Sequence, residues 1–167
     1  MEVLEAIRTR RSIRKFTDQD VSDELVEKIL TAGIWAPSGK NNQLWRFAVV
    51  KDPQFKAELA KLTKHTDILE NAPVLILVFV DHTVTYDAVK DANSIGACVQ
   101  NMLLAIHSLG LAAVWIAEIL KNKDEVKGRC QAPDPYELMA VVALGYGAET
   151  GGQGTRNGLE DVVFLRK

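Results

Sequence analysis

Apolar positions change their spacing along the chain, and the change separates helices from strands. Val3, Leu4 and Ile7 fall on one side of a short helix over residues 2–10, which predicts a core-facing stripe. Ser22 is a candidate N-cap with Asp23 and Glu24 in the first turn, and Leu25, Val26, Ile29 and Leu30 follow at helical spacing. That helix should fail near Ala36-Pro37, because the residue before proline avoids the helical region. Trp45 to Val50 reads as a strand, and Asp52-Pro53 as a helix start whose buried stripe is Phe55, Leu59 and Leu62.

The second half continues the alternation. Val74 to Val80 is apolar on both faces and rich in branched residues, which predicts a central strand. Residues 88–109 carry the longest helical pattern, with Ile95, Cys98, Val99, Met102, Leu103, Ile106 and Leu109 on one face and Gly110 as C-cap. Ala112 to Ala117 suits a short strand or extended loop, Asp124 to Arg129 a small helix, and Leu138 to Leu144 another buried strand. Gly145 to Gly158 reads as loop, and Leu159 to Leu165 as a last strand or arm. Three or four strands among four or more helices give an α+β or α/β sandwich in one domain, 1–167.

Composition narrows the function classes. The 167 residues are 47% hydrophobic and 25% charged, which excludes disorder and fibrous repeats. Lys plus Arg is 20 against 22 for Asp plus Glu, a net charge of -2, so no domain-wide basic footprint for nucleic acid exists and any anion site must be local. The longest dense apolar run, Pro73 to Val80, is far short of the roughly 20 residues of a membrane helix. The start, MEVLEAIRTRRS, has no secretion-signal apolar core. Cys98 and Cys130 form no CxxC motif, and two reduced thiols in a cytoplasmic protein are expected.

Several standard sites fail. Gly33 to Lys40 (GIWAPSGK) has five residues between its glycines where a phosphate-binding loop has four, follows a helix, and continues into Asn41 instead of Ser or Thr. Gly145-Tyr146-Gly147 lacks a dinucleotide fingerprint's third glycine and following helix. His65, His82 and His107 have no paired spacing, so no metal is expected, and His107 suits a helix C-terminus.

Two segments carry more. Arg10, Arg11, Arg14 and Lys15, broken by Ser12 and Ile13 and closed by Phe16, form either a solvated helix end or an extended strip presenting guanidinium forks and a hydroxyl to a phosphate. The loop after Pro37 offers Asn41, Asn42 and Gln43, amides that both donate to and accept from a heterocycle edge. Trp35 and Trp45 bracket it and are expected to anchor the core.

Arg10 to Phe16 (RRSIRKF), Ala36 to Trp45 (APSGKNNQLW), Asp91 to Trp115, and Leu144 to Gly147 followed by Arg156 together resemble the nitroreductase family of FMN-dependent oxidoreductases. The resemblance spans nearly the whole chain. It implies an α/β/α sandwich whose central, mostly antiparallel sheet is flanked by helices, in an intertwined homodimer. It implies non-covalent FMN, NAD(P)H as electron donor and a small organic acceptor such as a nitroaromatic, quinone or enal. Alternatives on the same scaffold are a reductive dehalogenase, a flavin-modifying enzyme or a non-catalytic flavin carrier.

The resemblance also implies roles. Arg10, Arg11 and Ser12 would meet the phosphate and ribityl chain. Arg14 would meet the flavin N1/O2 edge and act in catalysis by stabilising the charge of the reduced ring. Pro37, Ser38, Gly39, Asn41 and Gln43 match a loop that reaches the second subunit's flavin. Arg156 matches a phosphate-binding arginine near the C-terminus. Relatives often carry a second basic residue where this chain has Gly154-Thr155, and proline where it has Leu44 and Gly147.

Overall fold

The computed structural model describes residues 1–167. Four strands form one antiparallel sheet in the order β1-β2-β4-β3. They are β1 (Trp45–Val50), β2 (Val74–Asp81), β3 (Ala112–Ile116) and β4 (Tyr136–Gly145). The helices are α1 (Val3–Thr9), α2 (Asp23–Ile34), α3 (Pro53–Ala60), α4 (Thr66–Asn71), α5 (Ala88–Ser108), α6 (Lys123–Arg129) and α7 (Leu159–Val162). None is long and apolar enough to cross a membrane.

All eight residues of β2 are buried, as its unbroken apolar run predicts. The strand period of two splits them between two cores. Val74, Ile76, Val78 and Val80 face a core that takes Ile29 from α2 and Ile95, Cys98, Val99, Met102 and Ile106 from α5. Leu75, Leu77 and Phe79 face a second core with Leu59, Leu69 and Val126 from α3, α4 and α6. The result is the expected layered sandwich.

Local chemistry sets the helix ends. The Ser22 hydroxyl accepts from the Leu25 amide, and the Asp52 carboxylate accepts from the Phe55 amide at 2.7 Å with Pro53 in the first turn. Asp87 caps α5 by accepting from the Lys90 amide at 3.0 Å, and Gly110 leaves it in the left-handed region at φ 78°.

Four expectations change. Val3, Leu4 and Ile7 on α1 are exposed, and only Ala6 turns inward. A helix of seven residues at the margin of the sandwich has no second layer over its apolar side. Trp45 is buried as expected, but Trp35 is 80% exposed, because α2 ends at Ile34 and the chain turns outward there. Residues 159–165 pair with no strand and instead begin with the single turn α7, with Phe164 98% exposed. His107 does not bond the last carbonyls of α5, since its Nε2 lies 2.8 Å from the Thr9 hydroxyl. Helix α4 went unrecognised in the sequence, because six residues hold too few apolar positions to show a period.

Both thiols are free, and burial pushes Cys98 up to about 12. Close packing at the end of β4 depends on Gly145: a Cβ there would lie 2.5 Å from Cδ of Pro73, whose ring cannot rotate away. Gly145→Ala is therefore expected to lose about 1–3 kcal/mol through overpacking, measured by urea unfolding.

Glu118, just past β3, ties that strand to the turn before α4. Its carboxylate pairs with Lys121 at 2.5 Å and accepts from the Thr63 hydroxyl at 2.6 Å and the Lys64 amide at 3.0 Å. These bonds, Lys121 first, hold it at about 2. A lowered carboxylate stabilises the fold above its unfolded value of about 4.3, and that contribution fades as pH falls toward about 2. Glu118→Gln should melt below wild type at neutral pH, with the gap closing as thermal scans descend through this window.

Candidate functional site

Residues Arg10 to Phe16 leave α1 and run extended along the free edge of the sheet. Arg10 ends the helix at φ -57°, ψ 128°. Ser12 bridges Ala113 of β3 in parallel, and Phe16 bridges Gly147 beyond β4. The Ile13 amide donates to the Ala113 carbonyl at 3.0 Å, and the Thr17 amide to the Tyr146 carbonyl at 2.8 Å. Ile13 and Phe16 are buried while Ser12, Arg14 and Lys15 are exposed, so the strip turns its apolar residues in and its polar ones outward. Beyond Arg10, which caps α1, the backbone of this stretch is extended.

The strip concentrates unpaired positive charge. Arg46 pairs with Asp81 at 2.7 Å, and Arg129 with Glu58 and Glu125 at 3.1 and 2.9 Å. The guanidinium groups of Arg8, Arg10, Arg11, Arg14 and Arg156 form no ion pair with a carboxylate within 4.0 Å. Partial burial, and then repulsion from Arg11 and Arg156, holds Arg10 below the ordinary guanidinium value. Arg11 is the most constrained of the group. Its Nε donates to the Gly152 carbonyl at 3.0 Å, and its Nη1 to the Arg8 and Arg10 carbonyls at 2.8 and 2.9 Å. It forms the wall between two hollows, one with Thr9, Arg10, His107 and Gly151, the other with Arg8, Gly154 and Arg156. Arg14 is held by its backbone, whose amide donates to Glu149 at 3.0 Å, and its side chain is left in solvent.

The second segment is a strained loop. Lys40, Asn41 and Gln43 have φ of 55°, 55° and 47°, three of the four non-glycine residues with positive φ in the chain. Such backbone costs of order 1–2 kcal/mol per residue and persists only where the surroundings enforce it. Here the enforcement is specific. The Gln43 amide donates to the Ser38 hydroxyl at 3.0 Å, and the Asn41 amide to the Ser38 carbonyl at 3.0 Å. Asn42 donates to the Val84 carbonyl at 3.0 Å and to Asp91 at 3.2 Å. The Tyr86 hydroxyl fills the space that a side chain at Gly39 would need.

Asp91 anchors this buttress. Burial alone would raise its carboxyl, but the Asp87 and Tyr86 amides at 2.9 and 3.0 Å, with Asn42, outweigh burial and hold it below the usual carboxylate range. The sequence signal for it is an acid on the buried stripe of α5, one turn before Ile95.

One chain keeps the two segments apart. Pro37, Ser38 and Gly39 share a hollow with Asn93, Ser94 and Ala97 near the start of α5. The arginine strip sits by Leu103, Ile106 and His107 near its end. Thirteen residues separate Ser94 from His107, about 20 Å along a helix. Arg10, Arg11, Ser12, Arg14 and Arg156 therefore gather at one end, and Pro37, Ser38, Gly39, Asn41 and Gln43 at the other. No group of three or more His, Cys, Asp or Glu side chains is placed to hold a metal ion.

The comparisons with known proteins agree with this architecture. A chain of Methanothermobacter thermautotrophicus with the provisional name NADH dehydrogenase/NAD(P)H nitroreductase is 37% identical over 171 residues, covering 100% of this chain and 88% of that one. The crystal structure of a provisionally named nitroreductase from Desulfovibrio desulfuricans, in complex with FMN, superposes with a TM-score of 0.94 at 44% identity, covering 100% of this chain and 98% of that one. The NADPH:FMN oxidoreductase of Vibrio harveyi, complexed with NAD+, gives a TM-score of 0.89 at 26% identity over 98% of this chain and 76% of that one. The sequence profile of the nitroreductase family matches residues 7–66 and 60–146, and the chain belongs to that family.

Proposed function

We propose that this protein is an FMN-dependent oxidoreductase that takes reducing equivalents from NAD(P)H and delivers them to a small organic acceptor. The observation that carries the reading is the group of arginines without acid partners around Ser12. A donor set of guanidinium forks that make no ion pair, with a hydroxyl among them, suits a phosphate dianion, and the nearby Glu149 carboxylate is held by the Arg14 backbone amide. The family and the FMN bound to the Desulfovibrio relative support the same ligand.

When bound, FMN supplies the hydride and electron chemistry, and the protein supplies binding, orientation and charge. Arg10, Ser12 and Arg156 hold the phosphate and ribityl end. Arg11 acts mainly as a strut, since three of its contacts go to backbone carbonyls, and it adds charge to the same end. Arg14, two residues further along the strip, places a cation where negative charge develops at the pyrimidine edge, which makes it the candidate catalytic residue. Extended backbone advances about 3.3 Å per residue, so Arg10 and Arg14 are some 13 Å apart along the strip. That span suits a ligand with a phosphate at one end and a ring at the other.

The site is shared in a homodimer. About 20 Å along α5 divides the two segments within one chain. A two-fold partner brings its Ser38, Gly39 and Asn41 to this chain's arginine strip, and the reverse. Exposed Val3, Leu4 and Ile7 on α1, with Trp35 and Phe164, supply apolar surface for such an interface.

Apo-protein titrated with FMN should bind about one flavin per chain, non-covalently, and turn yellow. Arg156→Ala should weaken the affinity by about 1.5–3 kcal/mol, because Gly154-Thr155 offers no replacement cation. A colourless protein that takes up no added FMN refutes the function.

Mixing tests the shared site. Chains carrying Arg10→Ala and Arg14→Ala, refolded with chains carrying Asn41→Ala, should regain one intact site per heterodimer. Flavin fluorescence titration reads this directly, and no recovery where wild-type chains refold well refutes the arrangement.

A further inference from the structure

The second of the two hollows that Arg11 separates is lined by Ile7, Arg8, Arg11, Gly154 and Arg156, three arginines and no acid. Arg11 is committed to backbone carbonyls through its Nε and Nη1. Its guanidinium also crowds Gly154, where a Cβ would fall 2.9 Å from Cζ and 3.0 Å from Nε. Because three bonds keep Arg11 in place, any longer side chain at Gly154 is disfavoured, and that position brings no charge. Arg156 spends Nη1 on the Thr155 carbonyl at 2.6 Å and keeps its other N–H groups. Arg8 has no role in the scheme above. Its guanidinium is exposed and unpaired, while its carbonyl accepts from Arg11 at 2.8 Å. The acids around this end do not neutralise it. Glu2 and Glu5, on the turns before Arg8, make no ion pair with it. The Glu149 carboxylate accepts from the Arg14 amide, the Asp161 carboxylate accepts from the Gly158 amide, and Glu160 lies over Gly158.

We propose that Arg8 is a further ligand of the FMN phosphate, reaching it from α1 in the hollow it shares with Arg156. This rests on the flavin reading, which places the phosphate at this end of the strip. A phosphate monoester offers several acceptor oxygens, and each guanidinium brings its own fork of N–H donors to the oxygens it faces. Arg8 therefore adds to Arg156 and does not replace it. The Arg11 bond to the Arg8 carbonyl fixes the backbone from which the Arg8 side chain springs, so one arginine acts as a strut for another. The contribution is modest, because Arg8 is exposed and its charge is screened by water and salt.

The test titrates apo-protein with FMN and with riboflavin, which has the same ring and ribityl chain but no phosphate. Arg8→Gln should raise the FMN dissociation constant about fivefold, the upper end of the scale for an exposed ion pair, and leave that of riboflavin unchanged. Arg8→Lys should recover part of the loss, because lysine keeps the charge without the planar fork. The fall of FMN affinity with rising ionic strength should be shallower in Arg8→Gln than in wild type. An equal loss for FMN and riboflavin marks Arg8 as a structural residue and overturns the proposal. Unchanged FMN affinity in Arg8→Gln also overturns it and leaves the flavin reading standing, since wild type still binds FMN. If that variant keeps its FMN affinity and instead loses kcat/KM for NADPH relative to NADH, the hollow serves the donor's 2′-phosphate and the proposal fails. A wild type that binds no FMN overturns both readings.

Discussion

A strand buried on both faces cannot exist without two covering layers, and β2 imposes that constraint on everything around it. Its side chains alternate between two cores, so helices must pack on both sides of the sheet. With β1 on one flank and β4 on the other, the sheet grows outward to β3 and stops. An open edge of unpaired backbone is a liability. This fold covers part of it with the strip from Ser12 to Phe16, whose apolar residues turn in and whose polar ones turn out. The flavin-binding chemistry proposed for the chain thus grows from the way the sheet ends.

Like charges crowd at that edge. Arg10, Arg11 and Arg156 repel one another, and Arg10 is also partly desolvated. The Arg11 bond to the Gly152 carbonyl ties the strip to the 151–154 segment despite this repulsion, and its bonds to the Arg8 and Arg10 carbonyls fix the turn out of α1. An anion placed among them would offset this repulsion. The loop from Ser38 to Gln43 is prepared in another currency, backbone conformation, and is held by Tyr86, Asn42 and Asp91.

The parts legible in the sequence are those governed by local pattern. β2 and α5 declare themselves by period, the caps at Ser22, Asp52 and Gly110 by residue type, and the arginine strip and amide loop by density of function. The unread parts depend on what lies opposite. Val3, Leu4 and Ile7 have a helical stripe with no layer of the same chain above it, so burial inferred from spacing fails there. Trp35 fails for the same reason, because hydrophobicity does not reveal which way a chain turns after a helix ends. Tyr86 escaped notice because its significance lies in its contact with Gly39, 47 positions away in the chain, and no local window contains both. Leu159 to Leu165 has strand composition but no partner strand to pair with.

The bridge from Ser12 to Ala113 joins residues 101 positions apart. A contact that distant closes a long loop, and its entropic cost is recovered only once the intervening sheet exists. During synthesis the arginine strip leaves the ribosome well before the edge it docks on, which is not made until β3 and β4 have followed. The strip must remain undocked while the roughly 130 residues from its end to the end of β4 are produced, and its high charge keeps it solvated through that interval. The proposed cofactor site is thus encoded ahead of the edge that completes it, so a nascent chain acquires the ability to hold an anion only after its sheet is complete.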